Sequence, residues 1–305
     1  TGPDHAVTVC RSKNIWGPYE NNFCNPILTH RHLGRDYPVK YVGHADLIET
    51  PAGEWYMTML AVRPKEGYTT MGRETFLAKV VWENDWPVVN PGAGMLTDTV
   101  EIELPEWRPE TDVNSYTYRT GAKTCVPGSS RDFTNMKVLG DEFLFLRNPE
   151  ENMYQLTEKG LNLHFSPVTL KEKASPSYIA IRQQHHRCKV EACLKTDGLT
   201  SARRAGIAVV QSDEYQLRVE VGDSKADVIL CEKGMDQCVG SAVVEDKEVV
   251  LSIAIDELKA TVGMKDSKRE IILAEDVDIR ALSTEVAGGF VGCTAGIYAV
   301  AEGEE

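Results

Sequence analysis

"VGHADLIETPAGEWYMTMLAV" (Val42–Val62) decides the fold. An apolar run ends near Thr50, Pro-Ala-Gly follows, and a second apolar run starts at Trp55. Proline presets φ for the second position of a turn, and glycine accepts the positive φ that turns often need. The segment reads as strand, turn, strand. The same pattern recurs in "HAVTVC", "FLAKVVW", "YIAIRQ", "CKVEACL", "YQLRVEV", "VVLSIAI", "LKATVGM" and "GIYAVA". Each run is short, alternating or β-branched, and bounded by Gly, Pro, Asn or Asp, at the roughly 8–12-residue spacing of an all-β protein. Helical periodicity is nearly absent. "SKREIILAEDVDIRALS" has room for one helical turn, but its β-branched residues favour a strand.

The totals exclude several function classes. The chain has 305 residues, 42% hydrophobic and 26% charged, as in a soluble globular protein. Its length suggests about two domains. The longest apolar runs, such as Val249–Ile255, fall far short of the ~20 residues of a membrane helix. A net charge of −13 argues against a nucleic-acid partner, which needs a concentrated surplus of Lys and Arg. The eight cysteines include no C-x-x-C, so zinc-ribbon and thioredoxin spacing is missing. "CKVEAC" puts two thiols on opposite faces of a strand. "CEKGMDQC" either closes a hairpin as a disulfide or stays reduced. Free, buried thiols are the expectation for most of the set. The opening "TGPDHAVTV" has neither the basic start nor the apolar run of a signal peptide.

Composition shifts along the chain. All five tryptophans, Trp16, Trp55, Trp82, Trp86 and Trp107, lie in the first third or so. A polar, irregular stretch over 93–124 reads as a connector. After it, over 125–305, short even strands with turns such as "TDG", "GDS" and "EDK" suit a β-sandwich. The front piece, 1–92, is short for a closed β domain, and its strand groups are separated by long loops. It reads as one or two propeller blades. Two blades alone leave unpaired edges, so neighbouring blades are expected.

Three front segments carry a resemblance: "TGPDHAVTVCRSKNIWGPYENNFCNPILTHRHLG", "VGHADLIETPAGEWYMTMLAVRP" and "MGRETFLAKVVWENDWPVVNPG". They resemble glycoside hydrolase family 43, in the branch of β-xylosidases and α-L-arabinofuranosidases that carry a C-terminal sandwich. "PGSSRDF", "EFLFLRNP", "SPSYIAIRQQHHRC" and "AGGFVGCTAGIYA" resemble that sandwich, a concanavalin-A-like jelly roll. The resemblance implies an all-β chain: part of a five-bladed β-propeller, then the sandwich. It implies hydrolysis with inversion, in which an acid and a base carboxyl stand roughly 6.5–9.5 Å apart with water between them. It implies an Asp base, a second Asp that tunes the acid, and a Glu acid just upstream of Thr1, none of them on this chain. The expected function is an inverting glycosidase releasing xylose or arabinose from xylo-oligosaccharides or arabinoxylan. This chain would be its C-terminal portion, inactive alone. The N-terminal part would be a second chain or simply absent from the sequence. No cofactor is required. A polymeric substrate favours an extracellular enzyme, with a cytoplasmic one left open. The alternative is a non-catalytic carbohydrate-binding sandwich with a propeller remnant.

Five residues become site candidates. His44 of "GHADL" matches a family histidine near the active-site floor, where a neutral imidazole can meet a sugar or a water. Arg73 of "GRETF" matches a sugar-binding, acid-tuning arginine; a guanidinium fork spans two hydroxyls and lowers a nearby carboxyl's pKa. Phe290 of "AGGFVG" is either the aromatic aligned to a sandwich loop that reaches the pocket in relatives or a buried core residue. His5 and Asp46 are expected to support rather than to touch substrate: His5 near the acid, Asp46 accepting backbone N–H groups in a tight turn. In an extended segment His44 and Asp46 share a face. Arg63 lies either in the cleft or at its rim. Trp55, Trp82 and Trp86 either stack on sugar or pack the blade, with packing favoured. His30 and His32 lack a third metal ligand and read as a solvated loop. Glu275–Asp278 offers oxygens to a structural calcium, without an EF-hand-type loop.

Overall fold

The computed structural model describes residues 2–102 and 132–301. The chain divides into two compact units, Thr1–Arg108 and Pro109–Glu305. Of the stretch read as a connector, 103–124 lies outside the described residues, as do Trp107 and Cys125.

The front unit opens with a small ribbon, β1 (Cys10–Arg11) against β2 (Glu20–Asn21). An antiparallel meander follows: β3 (Lys40–Glu49), β4 (Trp55–Val62), β5 (Glu74–Glu83) and β6 (Trp86–Val89), adjacent in that order. The Pro-Ala-Gly turn joins β3 to β4, with Gly53 N–H donating to the Thr50 carbonyl at 2.9 Å and Gly53 at φ 79°. Asn84 and Asp85 join β5 to β6, both at positive φ, the two-residue turn whose twist matches a hairpin. Period-2 alternation sends Met57, Met59 and Ala61 of β4 into one core with Ala78, Val80, Val42 and Val89. Trp55 meets Trp82 edge to face at 5.3 Å, and Trp86 is buried with the Arg11 guanidinium 4.1 Å above its ring. These tryptophans pack the blade.

His30 corrects an expectation. It is buried, not solvated. Its Nδ1–H donates to the Val39 carbonyl (2.8 Å), and its Nε2 accepts the Leu96 N–H (3.0 Å). Both nitrogens are used, so the ring ties two loops together as a neutral imidazole and offers nothing to a metal. Burial pushes its pKa down against the opposing pull of the Val39 bond.

The second unit is a sandwich. It contains the hairpin β7 (Tyr154–Thr157) and β8 (Gly160–Leu163). Then come β9 (Ser177–Arg182), β10 (Arg187–Lys195), β11 (Arg203–Ser212), β12 (Tyr215–Gly222), β13 (Lys225–Glu232) and β14 (Met235–Val243). The chain continues through β15 (Glu248–Asp256), β16 (Lys259–Lys265), β17 (Glu270–Asp278), a short helix α1 (Thr284–Ala287) and β18 (Thr294–Ala301). One sheet runs β14-β13-β12-β11-β18-β9; the other runs β10-β15-β16-β17. Ile207, Val209, Leu217 and Val219 of the first sheet meet Leu251, Ile253, Val262 and Met264 of the second in one dry core. The first sheet's other face is covered too. Tyr178, Ala208, Tyr298 and Val300 pack there with Leu170 and Leu146.

"SKREIILAEDVDIRALS" contains both elements weighed for it: β17, then a 3-10 turn at Arg280–Leu282. The described cysteines are free. Cys231 stands opposite Asp236 and Cys238 opposite Ile229, so the hairpin offers no disulfide register. Cys10, Cys24, Cys193 and Cys238 are exposed, against the expectation of burial. In β10 alternation buries Cys188 partly against the core and turns Cys193 outward, as their odd spacing requires. Asp276 is held by Lys259 (3.0 Å) and Asp278 by Arg280, so basic side chains pair with two of the three carboxylates proposed for calcium.

Candidate active site

The front sheet is irregular at one end, where β3 begins. Lys40 faces Val62, Gly43 faces Leu60 and Asp46 faces Thr58. Each step takes three residues of β3 against two of β4, which is the signature of a β-bulge, made here twice in succession. Tyr41 (φ 56°) and His44 (φ 54°) both sit in the left-handed region within these steps. For an L-residue that conformation costs on the order of 1 kcal/mol, and such strain gathers at functional sites. His44 is exposed.

The bulge bears on two expectations. The shared face of His44 and Asp46 requires an extended segment, and His44 at φ 54° breaks that condition. Asp46 is not in a tight turn either; it is exposed in the middle of β3.

His5 lies against the bulge. Its Nδ1–H donates to the Tyr41 carbonyl at 2.9 Å, which leaves Nε2 as an acceptor in the neutral ring. The ring lies over Gly43: a Cβ there would come within 2.5 Å of its Cε1 and Nε2. Glycine is required at 43 because a histidine ring occupies its side-chain space. His5 is fixed in turn by its own backbone, whose N–H donates to Gly2 O and whose carbonyl accepts the Thr29 hydroxyl, each at 3.0 Å.

Register brings the arginines to the same end. Leu60, opposite Gly43, is also opposite Thr75, two residues beyond Arg73. Arg73 is half-buried, directly after the buried Thr69–Gly72 segment. Beside it Arg63 grips Glu74 with both arms of its fork: Nη2 lies 2.7 Å from Oε1 and Nε 3.0 Å from Oε2. These bonds push the Arg63 guanidinium further above its ordinary value. Arg63 is therefore committed to a bidentate ion pair. The sequence left Arg63 between cleft and rim and did not anticipate its partner. Gly43 did carry a signal, since a lone glycine inside a strand marks a bulge or a close approach.

Phe290 lies in the second unit, in the loop between α1 and β18, and is 55% exposed. The loop turns on Gly288 and Gly289, both at positive φ, and Gln211 donates from Nε2 to the Gly288 carbonyl at 3.0 Å. Phe290 is not a core residue. Among the described residues, no three His, Cys, Asp or Glu are grouped to hold a metal ion.

Residues 130–305 match the family profile described as "Beta xylosidase C-terminal Concanavalin A-like domain", and residues 1–87 match "Glycosyl hydrolases family 43". The chain belongs to glycosyl hydrolase family 43. A relative named xylosidase/arabinosidase, from Butyrivibrio fibrisolvens, is 38% identical over 315 residues, covering 100% of this chain and 57% of that protein. A non-reducing end α-L-arabinofuranosidase of Bacteroides ovatus is 30% identical over 313 residues, covering 100% of this chain and 56% of its own length. Among solved structures, the family 43 protein BlXynB from Bacillus licheniformis matches with a TM-score of 0.81 at 26% identity, covering 99% of this chain and 58% of that one. The chain thus spans a little over half the length of these relatives.

Proposed function

We propose that this chain is the sugar-holding part of an inverting glycosidase that releases xylose or arabinose from xylo-oligosaccharides or arabinoxylan. The observation that carries the reading is His44, exposed on a strained bulge at the sheet end that also holds Arg73. An imidazole and a guanidinium carried at one end of a sheet can supply an acceptor and a forked donor for sugar hydroxyls. Phe290, exposed on its glycine loop, is the candidate for stacking on a ring.

Inversion needs a protonated carboxyl and a carboxylate about 6.5–9.5 Å apart. Glu74, the acidic residue beside Arg73, has both carboxylate oxygens bonded to the Arg63 fork and suits neither task. The proposal therefore assigns the acid and base to polypeptide outside these 305 residues, as a second chain or a preceding segment. The covered outer face of the six-stranded sheet weighs against reading the sandwich as a free-standing carbohydrate-binding module.

The test is an assay of the purified chain on 4-nitrophenyl β-D-xylopyranoside and α-L-arabinofuranoside, alone and co-expressed with the preceding part of the enzyme. The expected result is no turnover alone and turnover together. Turnover by the single chain at the rate of the combined preparation would overturn the division of labour.

A further inference from the structure

We infer that His5 is the positioning residue for His44: its ring clamps the β3 bulge and thereby sets where the His44 imidazole points. The inference rests on the reading of His44 as a sugar contact.

Three observations converge on it. The first is the hydrogen bond from His5 Nδ1 to the Tyr41 carbonyl at 2.9 Å. Tyr41 is itself left-handed, so this bond holds the carbonyl of a strained residue. The second is the ring's seat over Gly43, where even a methyl group would collide at 2.5 Å. Gly43 immediately precedes His44. The third is the register, in which β3 gives up ladder pairing on either side of Gly43. A strand that forfeits pairing needs another source of definition there, and His5 supplies a directional bond and a flat surface. The strain at Tyr41 and His44 persists only if surrounding structure over-determines it.

The geometry also has a direction. His5 belongs to the segment ahead of β1, anchored to Gly2 and Thr29 by its backbone. Its ring therefore ties the opening segment of the chain to the strand bearing His44. A shift of either is passed to the other through one imidazole. His5 acts through the backbone of residues 41–43, and the structure gives it no part in the chemistry.

The experiment uses the 305-residue chain with D-xylose as probe and the His44 ring resonances as readout. His5→Ala removes both bond and surface. The His44 resonances are expected to shift, and xylose affinity to fall roughly tenfold, the modest end of what ångström misplacements cost. His5→Asn places an amide N–H where Nδ1 stood; it is expected to restore most of the affinity and keeps the test decisive if the alanine variant folds poorly. Gly43→Ala should disturb His44 as strongly as His5→Ala. The double variant His5→Ala/Gly43→Ala should regain thermal stability over Gly43→Ala, because the clash is gone, without regaining the His44 signal. Unchanged His44 resonances and an affinity within about twofold in His5→Ala would overturn the inference, since sites that truly couple depart from independence. If His44 in the unaltered chain ignores xylose, the sugar-contact reading fails. The resonance shift between that chain and His5→Ala still decides the positioning role.

Discussion

Strands β3 and β10 belong to the same chain and are built differently. β10 pairs with β15 without a break, from Arg187 opposite Asp256 to Lys195 opposite Glu248. β3 loses register twice within seven residues, at Lys40/Gly43 and Gly43/Asp46. In the sandwich, left-handed residues such as Asp223, Ser224 and Lys233 lie at hairpin turns, where they cost little and match strand twist. Tyr41 and His44 are left-handed inside a strand. The sandwich has one described counterpart, Asp276 in β17, whose side chain ends on Lys259. Regular pairing serves stability; the β3 bulge accepts strain and exposes an imidazole.

The difference can be broken from either side. The largest effect is expected from Leu251→Ala in the fully buried sandwich core. It should cost about 3 kcal/mol by denaturant titration, as leucine truncations in dry cores do. Xylose binding to the front unit should not change. Gly43→Ala is the counterpart in the front unit. It forces a methyl group against the His5 ring and should cost about 2 kcal/mol, in the range of overpacked sites. Its unfolding should appear in the tryptophan signal, because all the described tryptophans lie in the front unit.

A third effect depends on pH. Burial holds the folded-state pKa of His30 below its ordinary value. The folded chain then binds fewer protons than the unfolded one. The stabilisation is complete above the unfolded value near 6.5 and is lost as pH falls from there through the lower folded value. The front unit should weaken on acidification from neutral pH, and His30→Gln should flatten that slope while lowering stability throughout. A slope unchanged in the variant would place the sensitivity elsewhere. The smallest effect runs the other way. His44→Gly relieves a left-handed residue and should stabilise the front unit by about 0.5–1 kcal/mol. Binding of D-xylose should fall in the same variant. A gain in stability with binding intact would separate the bulge from the site.

Much of this was readable from residue order. "EWYMTMLAV" was readable as a strand after a turn, and its Met57, Met59 and Ala61 line the core. Pro-Ala-Gly and "GDS" marked turns that formed. The bulge was less readable, because extension was assumed through "GHAD"; one glycine hinted at the break, but nothing local named His5 as the reason. His30 failed differently. "THRH" looks like a polar loop, and only tertiary contacts with Val39 and Leu96 make its first histidine a buried latch. Arg63 and Glu74 are eleven apart, joined by a register that no local pattern displays.

The place of β18 has a consequence in time. The last strand of the sandwich lies inside the six-stranded sheet, bonded to β11 on one side and β9 on the other. On the ribosome, β11 to β14 can pair as they emerge, but β9 has no sheet to join until residues 294–301 are made. Contacts so distant in sequence form late and slowly. The growing chain must carry an unfilled slot between its second half and β9, exposing strand edges that invite wrong partners. Closure waits for the final strand, so a stop codon that removed β18 would cost far more than eight residues of surface.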